Sequence, residues 1–364
     1  MSTDADLTPD AQLRAAVDSA LRAFFDERRA VTARVGSEFV EIADQLEQFV
    51  LRGGKRIRPL FAWTGWLSGG GEAQGPQADA MVKCCAALEL VQACALIHDD
   101  IIDSSATRRG YPTVHVAVAG RHRNSGALGD ADHFGVSVAI LLGDLALAWA
   151  DDMVRESGLA ADAMARISPI WAAMRTEVLG GQLLDIHSEA RGDESLESAM
   201  RVNRYKTAAY TVERPLQLGA AAAGAGDALI ETFRELGTDL GIAFQLRDDL
   251  LGVFGDPAVT GKPSGDDLRE GKRTVLLAAA LARADATEPE TAELLRASIG
   301  ADLTDAQIAG LRNVFTSLGA VDEVEALILT LTDRAEAALV ASDANAAAAA
   351  LLRPMFATAT ARTS

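Results

Sequence analysis

An all-α fold is predicted by three features of this chain. Apolar residues recur at three- and four-residue intervals over most of its length, the apolar content is dominated by Ala, Leu and Val, and no run alternates apolar with polar long enough to build a sheet. Hydrophobic residues make up 49% of the 364 positions and aromatics only 5%, so there is core enough for one large helical domain. Taken in order, residues 10 to 50 read as an amphipathic helix pair, with Leu13, Val17, Leu21 and Phe24-Phe25 on the first and Phe39, Ile42, Leu46 and Val50 on the second. The run Arg52-Gly53-Gly54-Lys55-Arg56-Ile57-Arg58-Pro59 ends the pair, and Pro59 can open a third helix through Trp63 and Leu67. After a glycine-rich loop, residues 78 to 102 form one long apolar helix marked by Met81, Leu88, Val91, Ala95 and Ile102. Residues 120 to 132, with Asn124, Gly126 and Gly129, are the most loop-like internal stretch. Helices resume over 136–153, 161–189, 196–223 and 229–253; 255–271, rich in Gly, Pro, Asp and Lys, reads as a loop; further helices run from 273 to about 358. No repeat or long linker divides the chain, so residues 1–364 are expected to form a single domain.

A formal charge of −18 opposes nucleic acid and an anionic bilayer as standing partners. Cys84, Cys85 and Cys94 fall in one predicted helix without CxxC spacing, which indicates neither a disulfide framework nor zinc and fits a reducing cytoplasm. Residues 1–10 are polar and acidic, unlike a secretory signal, and the most apolar stretch, 136–150, is interrupted by Asp144 and reads as too short to span a bilayer. A cytoplasmic protein without stable membrane insertion is expected.

Two acidic clusters carry the chemistry. Asp99-Asp100-Ile101-Ile102-Asp103 and Asp248-Asp249 each end a long apolar helical pattern. Aspartates in an apolar setting are costly unless their charge is offset, and a helix C-terminus disfavours anions; bound cations reverse both penalties. Asp99 and Asp103 are four apart and share one helix face. Mg²⁺ favours such hard oxygen ligands and commonly completes its shell with substrate phosphates. Around the clusters lie Arg108-Arg109 before Gly110-Tyr111-Pro112, the basic Gly53 to Arg58 segment, Lys206-Thr207, Lys262 and Lys272. Together they point to two anionic groups, one bridged to aspartates through metal and one held directly by cations.

Gly53-Gly54-Lys55-Arg56-Ile57-Arg58-Pro59, His98-Asp99-Asp100-Ile101-Ile102-Asp103 with Arg108-Arg109-Gly110, Gly180-Gly181-Gln182-Leu183-Leu184-Asp185, Lys206-Thr207 and Phe244-Gln245-Leu246-Arg247-Asp248-Asp249 resemble, in order, the motifs of the trans-prenyl diphosphate synthases, over about residues 50 to 275. The resemblance implies an isoprenoid-synthase helical bundle around a deep central cavity, a homodimer, and the condensation of isopentenyl diphosphate with an allylic diphosphate to a short-chain prenyl diphosphate. It implies that Asp99, Asp103 and Asp248 ligate three Mg²⁺ ions, with Mn²⁺ as a substitute, and that Asp100 and Asp249 support them. Arg108, Lys206 and Lys262 are implied contacts of the allylic diphosphate. Lys55, Arg58, Gln92 and Arg109 are implied contacts of isopentenyl diphosphate, Gln92 standing where many bacterial members have His. Thr207, Gln182, Asp185 and Gln245 would line the reacting centre, and Asp267 and Lys272 belong to a closing loop. His98 is expected to be structural or a supporting donor. One departure stands out: the second cluster ends at Gly252 where many relatives carry a third aspartate, which is expected to weaken one metal interaction.

Product length depends on the cavity floor. Val91, Cys94 and Ala95 lie eight, five and four residues before Asp99 on the same helix. All are small or medium, and since members of the resembled family that make farnesyl diphosphate often carry aromatic rings at the positions of Ala95 and Cys94, the resemblance implies geranylgeranyl diphosphate as product, with farnesyl diphosphate the alternative if Phe134 or Trp149 closes the floor and a longer polyprenyl diphosphate a further one. A terpene cyclase would not need Lys55 and Arg58, and a non-catalytic partner subunit would be expected to lose the aspartates that this chain keeps.

Overall fold

The computed structural model describes residues 9–255 and 265–361, so the expected diphosphate contact Lys262 lies outside the described residues. The described chain is helical almost throughout, with a single two-stranded hairpin. Its contacts gather into two compact units: one of residues 1–172, 215–230 and 344–348, the other of 173–214, 231–343 and 349–364.

In the first unit, helices α1 (Pro9–Val35), α2 (Ser37–Leu51) and α3 (Ile57–Ser68) lead into α4 (Pro76–Ile102). Helix α4 is the centre of this unit. Met81, Cys84, Cys85, Leu88, Leu90, Val91 and Ile97 are buried along it, and it packs on α1, α3 and most extensively on α6 (Ala131–Arg155). Each fully buried Leu or Val contributes about 1.5–3 kcal/mol, so the register of α4, and of the aspartates at its end, is firmly set. From α6, Trp149 stands edge-on to Phe24 and Phe25 of α1 at centroid distances of 6.0 and 5.9 Å. Between α4 and α6, strands β1 (Thr107–Arg108) and β2 (Tyr111–Pro112) form a hairpin, followed by α5 (Val114–Ser125). Its turn residues Arg109 and Gly110 both have positive φ, +53° and +77°, the geometry whose twist suits a two-residue hairpin.

The second unit takes the latter part of α7 (Ala161–Arg191), then α8 (Leu196–Val202), an 11-residue π-helix (Asn203–Glu213), α10 (Asp227–Phe254) from Glu231 onward, and the helices that follow; α9 (Arg214–Ala223) belongs almost entirely to the first. Phe233, Leu240, Leu246, Leu281, Phe315 and Ile328 are buried in this unit. Arg247, itself buried, donates to both oxygens of Glu325 at 2.6 and 2.8 Å and so anchors α10 just before Asp248.

Several boundaries differ from expectation for identifiable reasons. Residues 120–125 are helical rather than loop, since α5 continues to a left-handed Gly126 cap. Helix α6 starts at Ala131, where the Asp130 carboxylate accepts from the amides of Asp132 and His133. At 25 residues it is therefore longer than the apolar run alone indicated, and α4 and α6 are both long and apolar enough, by length and composition, to cross a membrane. Helix α4 is mostly core; α6 exposes Phe134, Ile140 and Leu141. The expected helix over 196–223 is three pieces with the π-helix at its middle, and the expected loop 255–271 holds a short helix, Asp266–Glu270, bounded by left-handed Gly265 and Gly271.

Candidate active site

The first unit contains a cavity of about 500 Å³ into which Lys55, Arg58, Gln92, Arg108 and Arg109 all project. The α2–α3 connection supplies Lys55 and Arg58, α4 supplies Gln92, and the hairpin supplies the two arginines. Arg109 Nη1 donates to the Gly53 carbonyl at 3.2 Å, which ties the hairpin to the glycine segment. Arg52 lies 4.9 Å over the Tyr111 ring at the same wall. Desolvation, followed by the charge of Arg108, lowers the Arg109 pKa, and only Glu89 acts against this. A polyanion in the cavity relieves that repulsion.

Arg108 links this cavity to the first aspartate cluster. Its Nε donates to Asp100 Oδ1 at 2.7 Å and its Nη2 to Asp99 Oδ2 at 3.2 Å. Asp100 is almost completely buried, whereas Asp99 and Asp103 are partly open. Asp103 caps α4, its amide donating to the Asp99 carbonyl at 2.8 Å. Immediately before the cluster, His98 Nε2 lies 3.2 Å from the Ile140 carbonyl and 3.8 Å from Asp144, so this ring braces α4 against α6. Val91 and Cys94 are buried and Ala95 is partly open. Burial, then the charge of Asp144, pushes the Cys94 thiol up to about 12. Of the two bulky residues considered for the floor, Trp149 is engaged with α1 and Phe134 packs on His122 at 4.5 Å while remaining exposed.

In the second unit, Lys206 Nζ donates to Asp185 Oδ2 at 2.5 Å. A Cβ at Gly181 would collide with the Tyr205–Lys206 backbone, so α7 and the π-helix approach closely enough to place Lys206 only because Gly181 has no side chain. Thr207 follows in the π-helix, and Gln182 Nε2 is buried with no hydrogen-bond partner among the described residues. Asp248 is exposed and Asp249 buried. Asp249 accepts from Gln245 Nε2 at 2.7 Å and from Asn203 Nδ2 at 3.4 Å, yet its pKa is raised to about 7, first by burial and then by the charge of Asp267, with Asp248 adding to it. Lys272 Nζ is 2.8 Å from Glu270 and 3.8 Å from Asp267. Among the described residues no three His, Cys, Asp or Glu side chains converge tightly enough to enclose a metal ion by themselves.

A polyprenyl synthetase family profile matches residues 40–310. The chain belongs to the polyprenyl synthetase family. It is 34% identical to the geranylfarnesyl diphosphate synthase of Aeropyrum pernix over 78% of its own length and 82% of that protein's. With the geranylgeranyl diphosphate synthase of Saccharolobus solfataricus the identity is 33% over 70% of each chain. A solved geranylgeranyl pyrophosphate synthase of Corynebacterium glutamicum, complexed with isoprenyl diphosphate and magnesium, superposes with a TM-score of 0.94 at 51% identity, covering 98% of this chain and 100% of that one.

As a polyprenyl synthetase this chain is an all-helical trans-prenyltransferase, and the donor chemistry of its aspartates fits magnesium. The carboxylates at Asp248, Asp249 and Asp267 offer hard oxygens whose mutual repulsion a divalent cation offsets. The sequence motifs led to most of these polyprenyl synthetase residues but passed over three. Arg52 sits at the edge of the basic segment, Glu89 lies three residues before Gln92 inside an apolar helix, and Asn203 reaches Asp249 from 46 positions away; for that last contact no sequence signal exists.

Proposed function

We propose that this prenyltransferase condenses isopentenyl diphosphate with an allylic diphosphate and releases geranylgeranyl diphosphate as its main product. The observation that carries the reading is the cavity of the first unit, where Lys55, Arg58, Gln92 and Arg109 stand together and Arg108 joins them to Asp99 and Asp100. Lys55, Arg58 and Arg109 hold the isopentenyl diphosphate by charge-assisted hydrogen bonds, and Gln92 adds a neutral donor. Asp99, Asp103 and Asp248 are the proposed ligands of three Mg²⁺ ions, Asp100 and Asp249 supporting them, with Mn²⁺ as a working substitute. The bound metal supplies positive charge to the departing allylic diphosphate. Arg108 serves the same charge from the protein side, so the allylic C–O bond ionises, the isopentenyl double bond adds to the cation, and the released diphosphate takes the proton. Lys206, Thr207, Gln182, Asp185, Gln245 and Lys272 keep the roles their motifs imply. The small Val91, Cys94 and Ala95 support a product longer than farnesyl diphosphate.

Residues 1–364 are proposed to act as one functional domain in the cytoplasm, without stable membrane insertion and as a homodimer. The exposed apolar residues Ile140 and Leu141 of α6 favour a second copy as what covers that helix. The reading is tested by incubating the protein with Mg²⁺, labelled isopentenyl diphosphate and dimethylallyl, geranyl or farnesyl diphosphate, then sizing the products. Geranylgeranyl diphosphate is expected. A cyclised hydrocarbon or no turnover overturns the reaction, and a predominantly farnesyl or longer product overturns the chain length alone.

A further inference from the structure

One cation of the basic segment is committed elsewhere than to substrate. Arg56 is almost completely buried and in the left-handed conformation, φ 48° and ψ 41°, which a non-glycine residue adopts only when its surroundings hold it there. Its side chain accounts for that. Nη1 donates to Glu89 Oε2 at 2.6 Å, Nε and Nη2 donate to Asp18 Oδ1 at 3.0 and 2.7 Å, and Nη2 also donates to the Val50 carbonyl at 3.0 Å. One guanidinium thus joins α1, the end of α2 and α4 to the connection that carries Lys55 and Arg58. Glu89 lines the same cavity, is itself buried, and its Oε1 has no hydrogen-bond partner among the described residues. A carboxylate in the wall of an anion site is a fault unless it serves the frame of that site.

We infer that Asp18, Arg56 and Glu89 form a positioning clamp that holds the Gly53–Arg58 connection in the one shape that turns Lys55 and Arg58 into the cavity. The clamp rests on the proposed reading of that cavity as the isopentenyl diphosphate site. Asp18 stands outside the cavity lining, and Arg56, although it borders the cavity, has its guanidinium taken up by Asp18, Glu89 and the Val50 carbonyl, so both act through Lys55 and Arg58. The left-handed turn at Arg56 reverses the chain between Lys55 and Ile57, and four side-chain hydrogen bonds keep it reversed when the glycines before it would otherwise let it drift. Because Asp18 lies on the side of α1 with its carboxylate 40% exposed, its replacement leaves the core intact.

The test is steady-state kinetics on the full-length protein with both substrates varied. Asp18→Ala and Arg56→Gly, the latter keeping a residue at ease in the left-handed turn, are expected to raise KM for isopentenyl diphosphate about tenfold. The kcat and the KM for the allylic substrate should stay within about twofold, the pattern of a lost binding contribution. Arg56→Lys, which keeps the charge but not the fork, recovers only part of the loss. Adding Glu89→Gln to Arg56→Gly removes the stranded carboxylate and also recovers only part. Complete recovery there reduces the clamp to charge cancellation and overturns it, as does an unchanged isopentenyl diphosphate KM in folded Asp18→Ala. Lys55→Ala and Arg58→Ala separate the two levels of the argument. If they leave that KM unchanged, the cavity itself is misassigned; if they raise it while Asp18→Ala does not, only the clamp fails.

Discussion

The absence of a side chain at Gly252 leaves room for a carboxylate from elsewhere in the chain. A Cβ placed there would run into the Asp267 carboxylate, which arrives from the short helix Asp266–Glu270 and acts on Asp249. The backbone supports the placement, with the Gly265 amide donating to the Gly252 carbonyl at 3.1 Å. Gly252→Asp, which restores the fuller family motif, is therefore expected to destabilise by about 1–3 kcal/mol through overpacking, read as a fall in Tm. Adding Asp267→Ala to it should recover stability; failure of the pair to recover shows that the collision is not the cause. Asp249 yields a pH prediction. Its carboxyl titrates near 7 in the metal-free protein because burial, Asp267 and Asp248 all penalise the charged form. An unfolded aspartate titrates near 3.9, so between these values the folded state binds the extra proton and stability falls as pH rises. Without divalent metal, Tm should decline from pH 5 to pH 7.5, and the decline should be much shallower in Asp249→Asn, where no proton is at issue. Equal slopes in the two proteins would rule Asp249 out as the group responsible.

Helix α4 carries the aspartates, Gln92 and the candidate floor, and it was also the element most readable from sequence. Its apolar period and acidic end were both visible, and the observed Pro76–Ile102 begins two residues ahead of the expected 78–102. The π-helix of Asn203–Glu213 was not readable, because an i to i+5 register keeps an apolar spacing indistinguishable by eye from an α-helix, and what selects it is tertiary contact such as that between Gly181 and Lys206. The hairpin turn was hidden for another reason. Arginine at positive φ is not a turn signal, and Arg109 is held there by its bond to Gly53 and by the pairing of Arg108 with Tyr111. On α4 the proposed floor makes a direct prediction. Cys94 is 3% exposed and flanked by Val91, itself 1% exposed, so Cys94→Phe should shift the product toward farnesyl diphosphate while the early condensations continue. The products are sized by chromatography after hydrolysis, and an unchanged distribution in a folded variant removes Cys94 from the floor.

For the molecule as a whole, the motifs named which cations matter, and folding determines which of them substrate can reach. Lys55, Arg56, Arg58, Arg108 and Arg109 all border one cavity, yet the guanidinium of Arg56, indistinguishable from the others in sequence, is consumed by Asp18 and Glu89. Surface features follow the same logic. With a net charge of −18, two copies repel at long range, so stable association needs an apolar face large enough to outweigh that at short range. Helix α6 offers one: Leu141 is 65% exposed and Ile140 43%, and both occupy a helix otherwise apolar enough to be buried. Leu141→Glu adds a charge at the centre of that face and should convert the proposed dimer to monomer, read by light scattering at micromolar concentration, with Tm falling as the uncovered helix meets water. Because Leu141 already faces outward in the single chain, the fold of the monomer should survive, and far-UV helicity should be unchanged. Wild-type protein that is monomeric under the same conditions, or a variant that stays dimeric, would place the contact on another face or remove it.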